Sequence, residues 1–163
     1  MRSLSAPARQ AAFAQETGEA FVALLIIDHP TLDAPLRFVN NMEDVYSTVG
    51  GVAEPQQYFG CPFTVNLPEE RDDQLPTVTL SIDNVDQAIV AAIRGLTGAP
   101  TLTLYIVLAS SPNVIEAGPF VFQLTRAQYT AETVSGQLSF PDVLNEPFPW
   151  RAFTPNDWPG VFA

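Results

Sequence analysis

The clearest pattern along the chain is an alternation of period two. In TVTLSID, Val78, Leu80 and Ile82 share one side, while Thr77, Thr79 and Ser81 share the other. A strand sends successive side chains to opposite faces, so this spacing predicts a strand with one buried face. TLTLYIVLA continues the theme, with Leu102, Leu104, Ile106 and Leu108 on one face. PFVFQLTRAQ and ETVSGQLSF alternate again across a short break. They predict an antiparallel hairpin that sets Phe120, Phe122 and Leu124 against Val134, Leu138 and Phe140. The expected core is therefore Val78, Leu80, Ile82, Leu102, Leu104, Ile106, Phe120, Phe122 and Leu138.

Upstream, EAFVALLIID is rich in strand formers, DHPTLDAP is a polar turn with two prolines, and LRFVNN leads back. Together they predict a hairpin. EDVYSTVG and QQYFGCPFTVNLP predict further strands, broken by Gly50 and Gly51. Two segments are helical in pattern. Ser5 can cap a helix over residues 5–17, with Pro7 tolerated in its first turn and Gly18 as its stop. Asn84 opens VDQAIVAAIRGL, where Val85, Ile89 and Ile93 recur every fourth residue. PTVTL at Pro76 and PTLTL at Pro100 nearly repeat, but their flanks do not. They read as two strands under the same local demands and not as a duplicated unit. The expected fold is mainly β, an antiparallel sandwich or barrel with two short α-helices and an extended C-terminal segment. Residues 1–144 form one domain, and residues 145–163 form the extension.

Composition and charge narrow the function. At 163 residues and 47% hydrophobic, the chain suits one domain with a packed core. Its longest apolar run, FVALLII, is strand-sized and far short of the roughly 20 residues of a membrane-spanning helix, so no membrane insertion is expected. The first twenty residues hold no uninterrupted apolar stretch, so no cleaved signal peptide is expected. The formal net charge is −11, and all 7 basic residues are arginine. Clustered positive charge is missing, which argues against direct nucleic-acid binding. Without lysine there is neither a phosphate-cradling lysine nor a Schiff base.

Candidate chemistry is sparse. Cys61 is the single cysteine, so it makes neither an internal disulfide nor a zinc cluster. A nucleophile can be imagined there, but a small buried apolar residue is the expectation. His29 is the only histidine. It could join a triad, or share a metal with Asp28 and Asp33, but its place before Pro30 predicts a solvated turn residue. The acidic run Glu69, Glu70, Asp72 and Asp73 lacks the ligand spacing and glycine of a calcium loop and reads as a solvated loop. There is no nucleophile elbow and no dinucleotide fingerprint. No catalytic residue, metal or cofactor is expected.

Four segments carry a resemblance. AAFAQETGEAFVALLIIDHP, LSIDNVDQAIVAAIR, VLASSPNVIEAGPFVFQL and the ending LSFPDVLNEPFPWRAFTPNDWPGVF together resemble a family of small tail proteins of long-tailed phages and prophages. That family is known mostly as a domain of unknown function. The similarity runs nearly end to end, with NEPFP and PGVF its most distinctive elements, while GGVAEPQQYFG departs from the pattern. The resemblance implies a structural part of the tail tip, similar to distal or minor tail proteins, made in the host cytoplasm and carried in the virion. It implies a ring of three or six copies joining the tail tube to the baseplate hub. The partners would be copies of the chain itself, the tube protein, the hub and the tape-measure protein. It hands over no active-site residue.

The last nineteen residues, NEPFPWRAFTPNDWPGVFA, fit neither a helical nor a strand period. Their four prolines bias them toward extended geometry. Phe148, Trp150, Phe153, Trp158 and Phe162 are the expected subunit-interface residues. One reading straps the whole segment over its own β-domain. The other docks Trp158 to Phe162 on a neighbouring subunit and keeps Phe148 and Trp150 on the home domain. Two rival functions stay open. A carbohydrate- or receptor-binding module would place Trp150 or Trp158 on a concave face. A tail-associated hydrolase would place His29 or Cys61 in a cleft beside a base.

Overall fold

The computed structural model describes residues 4–66, 78–83, 95–96, 98–129 and 133–140. Within them lie one helix, α1 (Ala6–Phe13), and nine strands. The strands are β1 (Phe21–Asp28), β2 (Leu36–Val39), β3 (Val45–Ser47), β4 (Gln56–Gly60) and β5 (Phe63–Asn66). They continue with β6 (Val78–Asp83), β7 (Thr101–Leu108), β8 (Ser111–Tyr129) and β9 (Thr133–Ser139). All nine join one sheet in the order β3-β4-β2-β1-β7-β8-β9-β6-β5.

The expectation of a mainly β fold holds, in coarser form than a sandwich or barrel. There is a single open sheet, with β3 and β5 at its ends, and no ladder among the described residues closes it. The sheet is mixed, because β2 and β4 run parallel while the other pairs are antiparallel. The sheet nevertheless rolls. β4 and β5 lie second and last in the order, yet only Cys61 and Pro62 separate them. At roughly 3.3–3.6 Å per residue, that link keeps the two regions within about 11 Å. The Cys61 amide donates to the Val39 carbonyl at 3.0 Å, and the Phe63 amide donates to Asn40 Oδ1 at 3.2 Å. These bonds fasten the crossing to the end of β2.

Rolling encloses one face. Leu25, Phe38, Phe63, Leu80, Leu102, Phe122 and Leu138, from seven strands, form one buried cluster. The opposite face of β1 is also covered. Val22, Leu24 and Ile26 pack with Val39, Val49, Tyr58 and Val107 beneath the β3–β4 arm. A strand buried on both faces has no polar side, which is why FVALLIID shows a run where its neighbours alternate. The arm is pinned by polar groups as well. Tyr58 donates its hydroxyl to the Val49 carbonyl at 2.7 Å, and buried Ser47 donates to the Pro112 carbonyl at 2.6 Å. Burial pushes the Tyr58 phenol above its ordinary range, and the nearby Arg37 charge partly offsets this. Gly50 turns the arm at φ 97°, and a Cβ there would lie 2.7 Å from Ile26 Cδ1. Backbone conformation and space both call for glycine.

The β6 pattern is as expected: Val78, Leu80 and Ile82 are buried, Thr79 is exposed and Ser81 half-buried. The β1–β2 and β8–β9 hairpins also form, with Leu124 opposite Leu138 and Tyr129 opposite Val134. Three expected core residues need correction. Leu104 and Ile106 are only half-buried, and Phe120 is 41% exposed. Register shifts break the β7–β8 ladder after Leu104, so strict alternation fails there, and Val107 and Leu108 are buried in succession. The N-terminal helix is shorter than 5–17 but capped as expected, with Ser5 Oγ accepting from the Ala8 amide at 3.2 Å. Thr77, residues 84–94 of the second expected helix, the acidic run and the chain beyond Phe140 lie outside the described residues.

Candidate functional site

Where the roll of the sheet is open, it leaves an apolar groove of about 430 Å³. β5 supplies Phe63 and Val65, β7 supplies Leu104 and Ile106, and β8 supplies Phe120 and Phe122. Phe140, the residue after β9, closes one side, its ring 5.1 Å from that of Phe122 and tilted by 54°. Asn40 is the one polar side chain among the described lining residues. The irregular β7–β8 ladder shapes this wall. Gly118 sits at φ 106°, and a Cβ on it would lie 2.7 Å from the Leu104 carbonyl oxygen. Only glycine lets β8 pass β7 this closely, two residues before Phe120.

Further along β8, Val114, Ile115 and Val121 are also exposed. Together with Phe120 they make this strand the most apolar exposed stretch of the described fold. On the outer face of β6, β9 and β8, a smaller polar hollow of about 180 Å³ is lined by Thr79, Arg126, Gln128, Ser135 and Gln137.

At the other end of β8, Glu116 is buried and clasps the N-terminus of α1. Its Oε2 accepts from the Ser5 amide at 2.8 Å, and its Oε1 accepts from the Ser5 hydroxyl at 2.6 Å. That hydroxyl in turn accepts from Ala8, so one serine caps the helix and docks it. Sequence reading missed Glu116. The available signal was its type: an acid set between Ile115 and Ala117 within a strand needs a partner once buried.

Among the described residues, those considered for chemistry form no metal-binding cluster. His29 is buried, not solvated as its turn position implied. Its Nδ1 accepts from the Thr31 amide at 3.2 Å and lies 2.7 Å from the Thr31 hydroxyl. A Cβ on Gly98 would be 3.2 Å from its Nε2, so the stretch entering β7 packs over the ring. Asp28 and Asp33 are exposed. Cys61 is buried in the main core, as expected of a small apolar residue. Among the described residues, no group of three or more His, Cys, Asp or Glu could hold a metal ion. No described helix is long and apolar enough to cross a membrane. The expected interface residues Phe148, Trp150, Phe153, Trp158 and Phe162 lie outside the described residues.

Fold and surface thus define a mainly β domain whose prominent features are an apolar groove and an exposed apolar strand. The profile of one family, "Domain of unknown function (DUF1833)", matches residues 7–153, and the chain belongs to that family. No curated protein matches it.

Proposed function

We propose that this protein is a structural, non-enzymatic component of a phage tail tip. It forms a ring of three or six copies between the tail tube and the baseplate hub. The sequence resemblance to small tail proteins supports this role. The observation that carries an assembly function is the apolar surface of β8 left exposed outside the groove, Val114, Ile115 and Val121. Apolar side chains left exposed along one strand favour protein contact over catalysis. A cyclic ring needs each copy to present the same two complementary patches, and on this reading exposed β8 would supply one of them. Fold alone would not support this reading, since one fold serves many functions.

The second reading, a carbohydrate- or receptor-binding module of the tail tip, has the polar hollow on β6, β9 and β8 in its favour. Its hydroxyl and amide groups suit a sugar, but its described lining holds no aromatic platform. One experiment tests the ring. Purified tails carrying an epitope-tagged chain are imaged with a labelled antibody, and copy number is measured against the tube subunit. Three or six copies at the tip are expected. A lone copy, a capsid location or absence from the particle would overturn the ring.

A further inference from the structure

We propose that the apolar groove is the seat of this chain's own residues 148–153, with Phe148 and Trp150 as its anchors. This proposal does not depend on the tail-tip reading. Four observations lead to it.

Position comes first. Phe140 both lines the groove and opens the C-terminal segment, so that segment departs from the groove's own rim. Seven residues, 141–147, separate Phe140 from Phe148. Extended, they reach roughly 23–25 Å, ample for a return into the groove. Size comes second. A cavity of about 150 Å³ holds one benzene ring, so about 430 Å³ admits two to three rings. Phe148, Trp150 and Phe153 are three.

Chemistry is the third. A lining of Val65, Leu104, Ile106, Phe120, Phe122 and Phe140 has no charge to offer a polar guest. The segment NEPFPWRAF brings aromatic rings, and Pro147 and Pro149 lower the entropy lost when it is ordered. The fourth is the extent of the family unit. The match runs through Phe148 and Trp150 and ends at Phe153, leaving Trp158 and Phe162 outside. The family match therefore takes in the first half of the extension. A short tether also decides between copies. It holds the segment at an effective concentration in the millimolar range, well above that of a second molecule.

The test uses the intact chain. Nuclear Overhauser contacts are sought between the Trp150 indole and the methyl groups of Leu104 and Ile106. They are expected within one molecule, and their absence overturns the proposal. Contacts seen only between molecules in a sample mixing labelled and unlabelled chains would assign the groove to a second copy and also overturn it. A fluorescence arm is independent. The chain has 2 tryptophans, so Trp158→Phe leaves Trp150 as sole reporter. Its emission should be that of a buried indole and should shift red when Ile106→Glu is added. Solvent-like emission before that change, or buried emission unaffected by it, counts against the proposal.

Discussion

At the residue scale, Leu102 and Glu116 each test a different force. Leu102 is fully buried in the main cluster, whereas Leu104, two positions on, lies at the groove wall. Leu102→Ala should cost about 2–5 kcal/mol in denaturant unfolding. A variant that unfolds like the parent would place Leu102 outside the packed core. Glu116→Ala removes both acceptors from Ser5. Hydrogen bonds to charged groups contribute about 1.5–3 kcal/mol, so a loss of that order is expected. Hydrogen exchange should show it concentrated in α1, with the Ala8 and Arg9 amides losing protection. A uniform loss across the sheet would place the effect in the core instead. Arg37 Nε is buried without a hydrogen-bond partner, and nothing in the structure explains it.

At the element scale, the β3–β4 arm carries a pH dependence. Asp44 Oδ1 accepts from the Gly60 amide at 2.8 Å and Oδ2 from Gln57 Nε2 at 2.7 Å. The Gly60 bond first, and the Gln57 bond second, hold this carboxyl below its ordinary value. A carboxyl lowered on folding adds stability above its unfolded value of about 3.9, and that stability is lost as pH falls through the lower folded value. The Gly60 amide should therefore lose exchange protection in acid. In Asp44→Asn it should be less protected near neutrality but insensitive to pH across that window. An unchanged acid response in Asp44→Asn would remove Asp44 from the arm's stability.

The same arm shows what was legible in the sequence. β6 could be read residue by residue, because one buried face writes itself as period two. The Ser5 cap was legible for the same local reason. β1 was legible as a strand, but not as one covered twice, since its second cover is an arm that returns from residues 45–60. The parallel β2–β4 pair and the jump from β4 to β5 were also hidden. A two-residue link does not record which end of the sheet each side joins. Phe120 had the correct parity, yet its exposure depends on what lies above it, which periodicity does not contain. His29 was misread because turn position predicts exposure only when nothing folds over the turn.

At the scale of the whole molecule, the extension divides at Phe153. The family match includes the aromatics proposed for the groove and leaves out Trp158 to Phe162. On the assembly reading, the far end is the part that reaches a neighbouring subunit. Truncation after Asn156 separates the two roles, because it removes Trp158 and Phe162 but keeps Phe148, Trp150 and Phe153. The truncated chain should melt within a degree or two of the parent, since surface changes away from a core stay within about 0.5 kcal/mol. Tails assembled with it should be incomplete or fall apart, because buried aromatic anchors dominate interface energy. A shorter chain that unfolds on its own would make Trp158 to Phe162 part of the home core. A shorter chain that folds and builds intact tails would leave those aromatics without a role in assembly.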